Sequence, residues 1–324
     1  MKKQSRRLDE AIEHFPVLAD EIVSCLAELS PEIVFDGTLG LGGHARRILK
    51  SIDSVKSYIA VDIDSKALDR AKDVLAPYVQ EGRAQIFQDS YERVESLLKE
   101  VLPLDRAEAD ACLLDFGAST LQLKDPVRGF SFKEEGPLDM RMSQDGRPRA
   151  QDILDKSSAK ELQHIFSSYG EFRFSKTLAR AISSARRKPS NTRDLAALVS
   201  SIVPSKLKRR ERLHPATQVF QALRIAVNDE LRVIERALPK VFDSLSKGGY
   251  LLCISFHSLE DRLVKSFFNS RLGKCSCPKD LPNCICSPIK ELELLCPRPI
   301  VPSTKELEIN AASRSAKLRV ARKL

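Results

Sequence analysis

Short apolar runs alternate with helix-period stretches along the first third of the chain. Ile33–Phe35, Tyr58–Val61, Ala84–Phe87 and Ala111–Leu114 are runs of strand length, and Gly249–Ser255 adds a fifth. Between the early runs lie Ala45–Lys50, Ser65–Leu75 and Tyr91–Leu98, whose apolar residues recur at helical spacing. Strands alternating with helices predict an α/β protein with a parallel, doubly wound, Rossmann-like sheet. The interval between the fourth and fifth runs is far too long for one crossover. It holds Ala159–Ser168, Ser175–Arg187 and Thr192–Val203, all helical in period and poor in strand residues. This pattern predicts an inserted all-helical domain over 136–208, with the sheet domain made of 1–135 and 209–324. Loop-like flanks support it: Glu134-Glu135-Gly136-Pro137 before and Val203-Pro204-Ser205 after. A helix over Pro215–Leu238 then returns to the sheet, Ser258–Phe268 follows the fifth strand, and Glu291–Cys296 and Ala316–Ala321 add two final strands.

The turn after the first strand changes the picture from fold to ligand. Asp36-Gly37-Thr38-Leu39-Gly40-Leu41-Gly42-Gly43-His44 joins a strand to a helix. Glycines there let the backbone pass close to a ligand, and the helix N-terminus presents N–H groups. The second strand ends in Asp62-Ile63-Asp64, an acid about 20 residues beyond the glycines, as a ribose diol requires. Gly40-Leu41-Gly42-Gly43-His44-Ala45 also fits the dinucleotide pattern G-x-G-x-x-A, so NAD is one reading. Asp36, however, stands at the strand tip facing the same crevice. Its carboxylate would repel a pyrophosphate and suits the sulfonium and ammonium of S-adenosylmethionine, so charge favours the methyl donor.

Charge placement then points to a partner. Between Asp155 and Arg212 stand 14 Lys/Arg against 5 Asp/Glu, while the rest of the chain balances, so this one segment carries the whole net charge of +9. It includes Arg186-Arg187-Lys188 and closes on Lys206-Leu207-Lys208-Arg209-Arg210-Glu211-Arg212. Such a concentration suits a phosphate backbone, although a solvated helical face is the blander alternative. No apolar run approaches the roughly 20 residues that span a bilayer. The opening Met1–Glu10 is basic without an apolar stretch behind it, which argues against a secretory leader. The expected compartment is the cytoplasm, with the eight cysteines reduced. Monomer and homodimer are equally compatible with these features.

Longer islands carry more information. The fourth strand runs into Leu113-Leu114-Asp115-Phe116-Gly117-Ala118-Ser119-Thr120-Leu121-Gln122. Then come Arg128-Gly129-Phe130-Ser131-Phe132 and Gly136-Pro137-Leu138-Asp139-Met140-Arg141-Met142. His214-Pro215-Ala216-Thr217-Gln218 opens a long apolar-periodic stretch, and Ile254-Ser255-Phe256-His257-Ser258-Leu259-Glu260 ends the fifth strand. Together with His14-Phe15-Pro16-Val17-Leu18, these islands resemble the bacterial small-subunit rRNA cytosine-N4 methyltransferase family, often called MraW. The resemblance covers nearly the whole chain. It implies a class I methyltransferase with a helical domain inserted after the fourth strand. It also implies S-adenosyl-L-methionine as cofactor and the small ribosomal subunit as partner, methylated on the exocyclic amine of one cytidine in its decoding centre. Cofactor contacts carry over to Gly42, Gly43, His44, Asp62, Asp115 and Gln122. Tyr91 stands where the family usually has Phe, and can still lie against adenine. The chain departs from the family's usual Val-Ser-Ser-Pro at Ala118–Leu121, from Arg at Gln218, and from Asn-Pro-Arg-Ala-Arg-Ser at Asn310–Ser315. Two arginines are thereby missing, which bears on RNA contact.

Cytosine N4 is a conjugated amine that no protein base deprotonates beforehand. The expected route is hydrogen-bond acceptors that localise its lone pair toward the methyl group. Asp115 is the first candidate, with cofactor contact as its alternative role; Asp139, His214 and His257 follow. Arg128, Arg141, Arg209 and Arg210 suit phosphates, and Phe130 or Phe132 could receive an unstacked base. Blander roles stand beside these: His257 and His214-Pro215 as helix starts, Phe130 and Phe132 as packing, Met140 and Met142 as core. Finally, Cys275-Ser276-Cys277 and Cys284-Ile285-Cys286 form two close pairs, compatible with a structural zinc site or with a metal-free loop.

Overall fold

A computed structural model describes residues 16–144, 146–208, 214–273 and 289–324. Its seven-stranded sheet comprises β1 (Ile33–Asp36), β2 (Ser57–Asp62), β3 (Ala84–Gln88), β4 (Ala109–Asp115), β5 (Leu245–Ser255), β6 (Leu292–Leu294) and β7 (Lys317–Lys323). The strand order is β3-β2-β1-β4-β5-β7-β6. Strands β1 to β5 pair in parallel, while β7 runs antiparallel to both β5 and β6. This is the class I methyltransferase architecture. The chain winds from β1 out to β3, then returns across β1 to β4. The order therefore reverses between β1 and β4, and a crevice opens at the carboxyl ends of those strands.

Successive strand residues point to opposite faces, so each strand feeds two cores. Val34, Ala60, Ala111, Leu113 and Leu252 lie on one face with Ile48, Leu49, Leu68 and Leu75 of the helices Gly43–Ser51 and Ser65–Gln80. Phe35, Ile59, Val61, Cys112, Leu114 and Leu251 lie on the other, against Leu97, Leu98, Leu238, Val264 and Phe268. Burial on both sides explains why these strands read as continuous apolar runs rather than alternating ones.

The molecule divides into two compact units. One holds residues up to Gly117 together with Val233–Leu324; the other is Ala118–Arg232. The second unit is helical, built on Ala150–Lys156, Ala159–Ser168, Ser175–Ser184, Thr192–Ile202 and Ala216–Asn228 around Leu154, Leu162, Phe166, Leu178, Leu195, Val199, Phe220 and Leu223. Its limits fall outside the expected 136–208 at both ends, for packing reasons. The Ala216–Asn228 helix, which the sequence pattern assigns to the sheet, buries Val219, Phe220, Leu223 and Val227 in the helical core. At the other end, segment 126–129 crosses segment 136–139 so closely that a Cβ on Gly136 would collide with the Pro126 carbonyl oxygen, and one on Gly129 with that of Pro137.

The expected single helix Pro215–Leu238 is two helices, Ala216–Asn228 and Glu230–Asp243, broken at Asp229 in a left-handed conformation with φ 54°. Local bonds hold the break. Asn228 Nδ2 donates to the Met140 and Arg224 carbonyls, each at 2.8 Å, and Oδ1 accepts from the Met142 N–H at 2.7 Å. Arg224 grips Glu230 through two 2.9 Å bonds. Among the described residues no helix is long and apolar enough to cross a membrane.

Candidate functional site

Four carboxylates stand at the carboxyl ends of four neighbouring strands. Asp36 ends β1, Asp62 ends β2, Asp89 directly follows β3, and Asp115 ends β4. The glycine-rich turn runs between them. Gly40 and Gly42 adopt φ of 54° and 79°, values that only glycine takes at little cost. The Leu39 N–H donates to the Val61 carbonyl at 3.0 Å, carrying the turn across from β1 toward β2. Asp62 fastens it there: Oδ2 accepts from the Gly40 N–H at 2.8 Å, and Oδ1 from the Asp64 N–H at 2.9 Å. Gly42 then precedes the Gly43–Ser51 helix, whose first turn leaves N–H groups without intrahelical partners. A Cβ on Gly42 would touch Ala71, and one on Gly43 would touch Pro16. These two glycines therefore serve turn geometry and close packing.

Asp36 differs from the sequence expectation of a carboxylate facing the crevice. It is 0% exposed, and both oxygens are bonded: Oδ2 accepts from the Tyr58 hydroxyl at 2.8 Å and Oδ1 from the Thr38 N–H at 3.0 Å. Its charge acts on the site as a field from beneath. Burial pushes its carboxyl up to about 6, against the pull of the Thr38 N–H, the Tyr58 hydroxyl and the His44 imidazole. Burial likewise pushes Asp62 up to about 6, opposed by the N–H groups of Asp64 and Gly40. Two carboxyls held reluctant to ionise gain most from a cation arriving beside them.

Asp115 is anchored through its backbone, whose N–H donates to the Thr38 hydroxyl at 2.6 Å. Its side chain lies 3.6 Å from His44, Oδ2 to Nε2. The His44 imidazole is buried, yet among the described residues neither ring nitrogen has a hydrogen-bond partner, and Asp115 Oδ1 has none either. A buried polar atom left unpaired costs roughly 1–3 kcal/mol, so this cluster is built to receive something polar. A ligand that is cationic and rich in N–H groups fits the donor set; a diphosphate does not. Tyr91 opens a short 3₁₀ turn after β3, with its ring centroid 6.4 Å from that of Phe116. It is half-buried, and its Cβ packs so closely over Gly37 that any side chain at that position would collide with it.

Most of the other expected residues are already engaged. His257 caps the Ser258–Ser270 helix: Nδ1 accepts from the Glu260 N–H at 3.4 Å, while Nε2, without a hydrogen-bond partner among the described residues, lies 3.0 Å from Glu260 Oε1. The remaining ones belong to the helical unit. Gln122 completes a capping box with Ser119, its Oε1 accepting from the Ser119 N–H at 3.0 Å. Arg128 is buried and donates to the carbonyls of Arg141 and Met142 at 2.9 and 3.1 Å, with its guanidinium 5.7 Å from the centroid of the Phe130 ring. Phe130 is buried as well. Asp139 holds Arg141 through two 2.8 Å bonds. Burial pushes the Asp139 carboxyl up, but the Arg141 guanidinium outweighs it and holds the group below the usual carboxylate range. His214 accepts from the Ala216 N–H at 3.2 Å, pairs with Ser200 at 3.2 Å, and stacks near Phe132 at 4.8 Å. Met140 lies in the helical core. Arg209, Arg210, Cys275, Cys277, Cys284 and Cys286 lie outside the described residues.

Sequence reading misses Thr38, Tyr58 and Asp89. Asp89 carries a readable signal, since it follows β3 as Asp62 ends β2. Tyr58 carries none. It meets Asp36 because β1 pairs Asp36 with Ala60, which sets Tyr58 two residues away on the same face.

Comparison with known proteins bears on this site. The model of the MraW methylase family matches residues 11–324. A relative from Caldicellulosiruptor bescii, named ribosomal RNA small subunit methyltransferase H, is 44% identical over 314 residues, covering 96% of this chain and 99% of its own. Relatives of the same name from Caldicellulosiruptor saccharolyticus and a Paenibacillus species are 41% and 42% identical, each covering 96% of this chain and 99% of its own. With a family model spanning the chain and the strand-end crevice in place, the chain belongs to the MraW methylase family and is a methyltransferase.

Proposed function

We propose that this chain transfers a methyl group from S-adenosylmethionine to the exocyclic N4 amine of a cytidine in the decoding centre of small-subunit rRNA. The observation that carries the reading is the His44–Asp115 cluster, whose buried polar atoms lack partners amid strand-end carboxylates. We assign Gly42, Gly43 and His44 to the donor through the turn, Asp62 to its ribose, and Tyr91 to its adenine. Gln122 joins that set by resemblance to the family. When bound, the donor supplies a methyl group on cationic sulfur, whose carbon–sulfur bond breaks as the nitrogen–carbon bond forms. Asp115 accepts a hydrogen of the amine, which localises the nitrogen lone pair toward the methyl carbon. Once the bond has formed, the nitrogen sheds its extra proton to the Asp115 carboxylate and from there to water. Holding the two reactants in line supplies up to roughly 7–11 kcal/mol of the barrier reduction in favourable cases. The basic segment 155–212 grips phosphates, so RNA affinity falls steeply with salt. The small ribosomal subunit is the partner, and the cytoplasm the place of action.

Incubating the protein with labelled donor and small subunits from a strain lacking the enzyme, followed by nucleoside analysis, tests this. The expected product is N4-methylcytidine. Label in another nucleoside, or in protein, would overturn the assignment.

A further inference from the structure

His44 sits in the donor turn, yet its side chain has no assigned task. The imidazole is 8% exposed, and among the described residues both ring nitrogens lack hydrogen-bond partners. Asp115 Oδ2 lies 3.6 Å from its Nε2, slightly beyond hydrogen-bond reach. The other carboxylate oxygen, Oδ1, is also buried and unpaired, while the Asp115 backbone is fixed on the Thr38 hydroxyl at 2.6 Å. A carboxylate with a pinned backbone still rotates about its side-chain bonds, and among the described residues no hydrogen bond holds its Oδ1.

We propose that His44 is the positioning residue for Asp115. With its proton on Nε2, the imidazole donates to Oδ2 and stops that rotation, leaving Oδ1 to accept a hydrogen from the attacking amine. A shift of a few tenths of an ångström closes the 3.6 Å gap into a hydrogen bond. Histidine fits because one ring nitrogen donates through a single bond of fixed direction. The inference rests on Asp115 as the amine's acceptor.

Three measurements test it. Ring-nitrogen NMR of the full chain, with His44 assigned by the signal lost in His44→Gln, should place the proton on Nε2 and show that signal shifting in Asp115→Asn. A proton on Nδ1 overturns the proposal whatever the enzyme methylates. In single-turnover assays at saturating donor His44→Ala should lose roughly 10- to 100-fold in rate, as outer partners of functional groups commonly do. His44→Gln, which keeps a donor at the ε position, should recover part of the rate. The double variant His44→Ala/Asp115→Asn should be no slower than Asp115→Asn alone, since the two act as a unit. Unchanged rates, a loss confined to donor affinity, or multiplicative losses in the double variant would each overturn it. If the wild type methylates no cytidine amine, the functional reading fails instead, and the NMR result still reports on the pair.

Discussion

Two polar clusters, one in each unit, are treated in opposite ways. In the helical unit Asp139 and Arg141 satisfy one another, Arg128 is turned inward onto two carbonyls, and Arg224 clamps Glu230. In the sheet unit the His44 ring nitrogens and Asp115 Oδ1 are buried without hydrogen-bond partners among the described residues, and Asp36 and Asp62 are held well above their ordinary 3.8. Buried polar groups are normally bonded, so the satisfied set reads as architecture and the unsatisfied set as a place for a ligand. Acidity, burial and motif membership do not separate Asp139 from Asp115; the count of unmet bonds does.

The comparison breaks first if the helical unit does not depend on its own close contacts. Gly136→Ala drives a methyl group into the Pro126 carbonyl and should cost about 3 kcal/mol. Hydrogen exchange should speed up within residues 118–232 while β1, β2 and β4 keep their protection. Uniform loss across the chain would contradict the division. Next, Asp62→Ala removes the acceptor that fastens Gly40 and the proposed ribose contact. Donor affinity should drop at least tenfold, about 1.4 kcal/mol or more by calorimetry. Wild-type affinity would take Asp62 out of the site.

The smallest effect has a distinctive sign. Asp36 in the folded chain titrates near 6, above its ordinary 3.8. Folding therefore favours the protonated form, and that stabilisation is complete in acid and lost as pH rises through about 6. Asp36→Asn keeps the shape without the charge, and Tyr58 can reverse its hydroxyl to accept from the new amide. At pH 8 the ligand-free variant should be more stable than wild type by about 1–2 kcal/mol, and the difference should vanish near pH 4. A variant less stable at pH 8 would mean that the buried charge is supported by something other than these bonds.

Much of the fold and part of the site are legible in the amino-acid sequence. The five central strands fall on their apolar runs, and the helix Ala159–Ser168 spans the expected residues. The turn, Asp62 and Asp115 lie at strand ends because polar residues there are local in sequence. What the sequence does not reveal depends on register or on long-range packing. Tyr58 joins Asp36 only through strand pairing, and Ala216–Asn228 joins the helical unit through a face that would equally suit a sheet. The break at Asp229 is hidden because an uninterrupted helical period runs through it, while the bonds that hold it come from Met140, Met142 and Arg224. Arg128 reads as a surface residue because nothing local marks it as buried.

Acidic groups beneath a glycine turn select a cationic methyl donor, and calorimetry of the purified chain at pH 8 and pH 5 tests this most directly. Above about 6 Asp36 and Asp62 are ionised, so S-adenosylmethionine should bind at pH 8 and bind more weakly at pH 5, where both take up protons. A chain that ignored this donor at both values and took up a nicotinamide dinucleotide instead would contradict the account.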